Sequence, residues 1–272
     1  MAQFNYQPPV SELLTCGAIK HGSDWRNYTQ EFKLTLDDIP ELLRLATDPI
    51  VNSWDSESVE IWGPTHAWRA LSQFGTAALH AIQPLFKLLI DSPEDDYLAD
   101  DLSTVLANIG PLTIPEIKTF VETCPQNEYR PIWVAIEGLE KIAERYPESR
   151  SLIFDIAMEQ LAQYRHHDSG TNGFLIGLLC QLENPDALPL MEKVFFEGKI
   201  DTDVVSWEDI QIAFDITQPA PSSGNLREFL KFQPTERAKP KGFGGQSSQS
   251  NKSKSNRSYA LTKLKYKSSR KI

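Results

Sequence analysis

Residues Thr65–Leu89, THAWRALSQFGTAALHAIQPLFKLL, decide the fold class. Ala67, Ala70, Leu71 and Phe74 fall at i, i+3, i+4 and i+7, the spacing that gathers apolar side chains on one face of an α-helix. Gly75 follows, a residue able to take the left-handed conformation that ends a helix. Pro84 then marks either the start of a second helix or a kink in it, because proline inside a helix removes a backbone hydrogen bond. Two helices joined this way cannot bury their shared apolar face alone; a neighbouring hairpin must cover it.

The same plan returns along the chain. Tyr97–Glu122, YLADDLSTVLANIGPLTIPEIKTFVE, carries the stripe Leu98, Leu102, Val105, Leu106 and Ile109. Its turn glycine, Gly110, lies 35 residues after Gly75, and Pro115 lies 31 after Pro84. Arg130–Gln163 is a longer hairpin with the stripe Ile132, Ala135, Ile136, Leu139, Ile142 and Ala143, turning at Pro147. Thr171–Gly198 repeats the plan with Pro189, and DDIPELLRLA, with Pro40, reads as the second helix of a degenerate first hairpin. Pro40, Pro64, Pro115 and Pro189 are placed near helix starts, where the missing N–H costs little. Ser206–Phe214 reads as a last helix, with Ser206 as N-cap and Asp209 three residues on. Alternating strand patterns are scarce. The expectation is an all-α fold, a superhelical stack of about four or five hairpins. Residues 1–36 form an irregular N-terminal cap with a short helix near Pro9–Leu14, residues 37–220 the repeat domain, and residues 221–272 a disordered basic tail rich in Gly, Ser, Asn and Lys.

Charge is divided unevenly. Residues 235–272 hold 11 Lys/Arg against 1 acid, and the rest of the chain 16 against 36. An acidic body favours basic partners and repels nucleic acid, while the tail has the opposite preference and is also able to fold back on the body. No apolar run approaches the roughly 18 residues of a membrane span. The start MAQFNYQPPVSELL lacks the basic, apolar and cleavage regions of a signal peptide. Cys16, Cys124 and Cys180 are far apart and form no C-x-x-C pair, as expected of buried thiols in a reducing compartment. A cytoplasmic protein is the expectation.

The pattern of helix, glycine turn, then AIQPLFKLL, TIPEIKTFV and ALPLMEKVF resembles HEAT repeats, in particular the short type of phycobilisome-lyase-like proteins. The stretch DIPELLRLATD…VEIWGPTHAWRALSQFG is also similar to an uncharacterised bacterial family, over roughly residues 38–216. The resemblance implies an α-solenoid and leaves its partner open. It brings no catalytic residues, and because this tail has no cysteine, a metal-binding tail is not implied.

Chemistry-bearing motifs are sparse. The five histidines are followed by Gly22, Ala67, Ala81, His167 and Asp168, so the His-Glu dyad of some helical-repeat enzymes does not occur. There is no P-loop, G-x-S-x-G or dinucleotide fingerprint, and Gly242–Gly245 reads as a linker. His166, His167 and Asp168 come nearest to a metal cluster, but adjacent helical residues point about 100° apart, and histidines complementing a helix end are the simpler reading. No catalytic residue, metal or cofactor is therefore expected.

The candidate contact residues lie beside the stripes. Trp68 follows Ala67 and Trp133 follows Ile132, each flanking its buried face. His66, Arg69 and Gln73 form a row near Trp68, and Arg130, Trp133, Glu137 and Lys141 a similar row later. An aromatic beside arginine is a common interface anchor; alternatively both tryptophans pack between hairpins. Trp62 reads as a cap on the stack. Glu94, Asp95, Asp96, Asp100 and Asp101 crowd one helix start, either as a solvated face or as a docking patch for a basic peptide. The expected partner-binding set is His66, Trp68, Arg69, Asp100, Asp101, Arg130, Trp133 and Glu137. The leading function is a non-catalytic protein–protein scaffold. The alternatives are a chromophore-lyase-like assembly factor and nucleic-acid association through residues 235–272.

Overall fold

The computed structural model describes residues 4–19, 25–52, 57–92, 95–125 and 129–217. The tail lies outside them, as does Glu94. Twelve α-helices are found among the described residues, and no strand. They are α1 (Tyr28–Glu31), α2 (Ile39–Ala46), α3 (Pro49–Asn52), α4 (Gly63–Ser72), α5 (Ile82–Asp91) and α6 (Asp96–Ile109), then α7 (Ile114–Thr123), α8 (Tyr129–Arg145), α9 (Arg150–Leu161), α10 (Ser169–Leu182), α11 (Leu188–Phe196) and α12 (Trp207–Phe214). Among the described residues no helix is long and apolar enough to cross a membrane.

The local signals act as their chemistry demands. Pro40, Pro64, Pro115 and Pro189 stand in the first turns of α2, α4, α7 and α11, where no intrahelical bond is lost. Pro84 is the third residue of α5 and marks a helix start, not a kink. Gly110 ends α6 at φ +103°, and its N–H bonds the Leu106 carbonyl at 3.0 Å. Ser206 and Asp209 form the reciprocal capping box at α12. The 3₁₀ segments have no counterpart in the sequence reading: α5, α7, α9 and α11 all follow one directly, at Gly75–Ala81, Pro111–Thr113, Pro147–Ser149 and Pro185–Ala187.

The described helices fall into two compact units, divided between Gln163 and Tyr164.

In the first unit α4 packs on α6 and α6 on α8, while α5 packs on α7 and α7 on α9. The partners advance in step. Trp62 stacks edge-on against Tyr97, Arg69 bonds Asp101, and Asn108 bonds Ser72. Higher residues of α4 meet higher residues of α6, so the two helices run parallel. The same holds for Gln83–Glu116 and Phe86–Phe120 between α5 and α7, and for Lys118–Glu159 and Glu122–Gln160 between α7 and α9. Hydrogen-bonded side chains across α4–α6 are 32, 33 and 36 residues apart, and across α6–α8 34 to 38. These offsets bracket the 35-residue spacing of the turn glycines. The stripes of α6 and α8 are buried throughout. Gly138 lets α8 come close to α6, since a Cβ there would lie 2.6 Å from Leu106 Cδ1.

Helix α2 packs mainly on α4, so it stands beside the first row. The sequence reading made it a second helix on the strength of Pro40, but α4 carries the same proline signature, which marks a helix start and not a row. The N-terminal segment is held on these helices. The Tyr6 hydroxyl donates to Asp48 Oδ2 at 2.6 Å, and the 3₁₀ turn Val10–Thr15 buries Val10, Leu13 and Leu14 against α2 and α4. In the second unit α12 packs on α10, with Trp207 and Ile210 buried.

Candidate functional site

Every residue of α4 is buried, because α2, α6 and the N-terminal segment flank it on several sides. His66, Trp68 and Arg69, read as surface contacts, are therefore interior at 3%, 1% and 3% exposure, and Asp101 of α6 joins them at 6%. The alternative reading of Trp68, as a residue packed between hairpins, matches its position. Its indole N–H donates to Asp101 Oδ2 at 3.0 Å. Arg69 donates to both oxygens of the same carboxylate, at 2.5 and 2.9 Å, and its guanidinium lies 4.9 Å from the centre of the Trp25 ring. A charge taken out of water needs such a partner, or its desolvation goes uncompensated. Gln73, in the same row, accepts from the Thr29 N–H at 3.2 Å and donates to the Arg26 carbonyl at 2.6 Å.

His66 completes this interior network. Its Nε2 lies 2.8 Å from the Gly17 carbonyl and its Nδ1 2.7 Å from the Tyr28 hydroxyl. A carbonyl only accepts, so Nε2 carries the proton and Nδ1 accepts from Tyr28. Burial pulls the imidazole down to about 4, with Arg26 and Arg69 lowering it further against the raising effect of the Gly17 carbonyl and Asp101. Burial likewise pushes Tyr28 up to about 12. The folded value of His66 lies below its ordinary 6.5. Its contribution to stability is therefore complete above that value and is lost as pH falls toward 4. Between pH 7 and 4.5 the wild-type protein should lose about 2 kcal/mol more unfolding free energy than His66→Gln, as read from urea titrations at each pH. Parallel pH profiles would show that His66 is not held neutral.

The second row lies along the α6–α8 seam. Arg130 pairs with Asp96, and Lys141 Nζ donates to Ser103 Oγ at 2.7 Å and Thr104 Oγ1 at 2.9 Å. Glu137, also buried, lies 3.6 Å from the same ammonium. Arg145 donates to Asn108, which donates to Ser72 at 3.1 Å, so α4, α6 and α8 are linked in series. Trp133 and Arg130 are half-buried and Asp100 is exposed; of the eight candidates these three reach the surface.

The crowded acids separate into distinct roles. Asp95 caps α6, accepting from the Leu98 N–H at 2.9 Å, and burial raises its carboxyl. Asp96 pairs with Arg130 of α8 and Asp101 with Arg69 of α4; Asp96 and Asp100 are exposed, whereas Asp101 is buried. They do not form one patch. Trp62 does not stand at an end of the array but against Tyr97 of α6. His166 and His167 lie in the turn between α9 and α10, beyond the last turn of α9, and Asp168 caps α10 through the Thr171 N–H at 2.9 Å. No group of three potential metal ligands occurs among the described residues.

Two open depressions mark the first unit. One, of about 390 Å³, is lined by Thr47, Pro49, Asn52, Leu88, Asp91 and Ser92. The other, of about 300 Å³, lies over the Phe86–Phe120 stack, with Lys87 and Asp91 paired at 2.5 Å on its rim. Residues 17, 25 and 28 were missed as parts of the network because no periodicity links them to α4. Ser103, Thr104, Asn108 and Arg145 were also missed, although each lies within a few residues of one repeat length from its partner.

No family model matches this chain, and neither does any curated protein or solved structure.

Proposed function

We propose that this chain is a HEAT-like α-solenoid scaffold that binds another protein in the cytoplasm and does no chemistry of its own. The observation that carries the reading is the constant advance of partners between like helices, 32 to 38 residues across α4–α6 and α6–α8. Parallel helices related by one repeat length are how a stack of hairpins buries faces that no single hairpin can cover. Three cysteines far apart in the sequence, with no C-x-x-C pair, fit a reducing compartment. The recognition surface is the exposed edge of the α6–α8 seam, with Trp133 and Arg130 on α8 and, one turn along α6 from the Asp96 that Arg130 pairs with, Asp100. Half-buried tryptophan and arginine are the residue types on which binding energy concentrates.

Trp133→Ala should weaken capture of the partner from native extract by at least about tenfold, the loss typical of an anchor residue, with helical circular dichroism unchanged. Equal capture by the two proteins would sink the reading, and loss of helical signal would make Trp133 a packing residue.

A further inference from the structure

The second unit carries an excess of acid that its own bases do not answer. Residues 164–217 hold 10 Asp/Glu against 3 Lys/Arg. Arg165 is committed to Glu197 at 2.6 Å, and Lys193 lies over the Tyr164 ring. Among the described residues no base pairs with Glu192, Glu208 or Asp215. Helix α12 concentrates the imbalance. Its inner side buries Trp207 and Ile210. Glu208, Ile212 and Asp215 follow i, i+4 and i+7 on the other side, all exposed. Ile212, at 56% exposure, is an apolar residue set between two acids. Asp215 caps the C-terminus of α12 in the left-handed conformation, at φ +53°, and the last turn holds no base. The negative end of a helix dipole favours a cation, and here it carries a carboxylate.

We infer that the basic segment 259–272 of this same chain docks on the outer face and C-terminal end of α12. The segment, YALTKLKYKSSRKI, has Lys263, Lys265, Lys267, Arg270 and Lys271, no acid, and Leu261 and Leu264 to set against Ile212. It follows α12 in the chain through residues 218–258, rich in Gly and Ser. By composition alone, a Gly/Ser-rich linker of that length has a root-mean-square span of about 35 Å, against about 12 Å for α12 itself. Tethering at this range gives an effective concentration on the order of millimolar, so weak pairing suffices to populate the docked state. The inference stands apart from the scaffold reading, since it concerns a different unit and a different surface.

Carbodiimide cross-linking of the full chain at low concentration tests it. Amide links are expected between lysines of 259–272 and Glu208 or Asp215 within one molecule, and they should vanish near 1 M salt, where the screening length falls to about 3 Å. Trypsin should cut after Lys263 and Lys265 about tenfold faster in Glu208→Gln/Ile212→Ser/Asp215→Asn than in the wild type, with unchanged circular dichroism. Links to acids of residues 4–163, links only between molecules, equal cleavage rates, or protection that develops only when duplex DNA is added would each overturn it.

Discussion

Asp101→Ala should lower the unfolding free energy by about 3–5 kcal/mol, the largest loss expected of any single change in the polar network. The carboxylate takes three hydrogen bonds, two from Arg69 and one from Trp68, at 2.5 to 3.0 Å. Arg69 is as deeply buried as its partner, so deleting Asp101 strands a guanidinium where water does not reach. The contact over Trp25 remains but supplies no acceptor. Urea denaturation reads the loss as a fall in midpoint. The double variant Arg69→Met/Asp101→Leu should recover most of it, because an apolar pair of similar volume carries no desolvation cost. If Asp101→Ala costs under about 1 kcal/mol, the range of an exposed pair, the α4–α6 seam is wetter than its geometry indicates.

Phe86→Ala comes next, with an expected loss of about 3–5 kcal/mol, partly from transfer and partly from the cavity left behind. Phe86 is 1% exposed, and its ring stacks on Phe120 with centroids 3.9 Å apart and planes 7° from parallel. The pair holds α5 to α7 much as Arg69–Asp101 holds α4 to α6, one by dispersion and one by charge. The two variants therefore test the two rows separately. If the first unit unfolds as one cooperative array, both should shift the midpoint and leave the denaturant slope unchanged. A second transition in Phe86→Ala alone would show the second row opening while the first stays folded.

Much of the candidate site was visible in the sequence as types and spacings, but not as location. The rows His66–Arg69–Gln73 and Arg130–Glu137–Lys141 were found from helical periodicity, and each does lie on one side of its helix. The first faces neighbouring segments, not open solvent, and the second lies along the α6–α8 seam with Arg130 half-buried at its edge. Periodicity locates the apolar stripe and leaves the residues beside it undetermined. Whether such a residue meets water or another helix depends on how many neighbours flank the helix. Helix α4 has them on several sides, so even histidine and arginine are enclosed there. Asp100 escapes because α6 is left open on that side.

The sequence alone determined the longer helices from α2 onward, the proline starts of α2, α4, α7 and α11, the glycine ending α6 and the Ser206–Asp209 cap, because these depend on backbone geometry within a few residues, whereas the short α1 and α3 went unread. The 35-residue spacing of Gly75 and Gly110 was also legible in the sequence, and the hydrogen-bonded partners across α4–α6 and α6–α8 bracket that spacing. Tertiary structure decided that Gly17, Tyr28 and Asp101 would be the partners of α4, and that α2 would stand beside α4. Those choices rest on contacts between residues about 32 to 49 positions apart. At that distance the hydrogen-bonding needs of a buried His66 or Arg69 are plain from its chemistry, but the group that answers them depends on which segments the folded chain brings alongside.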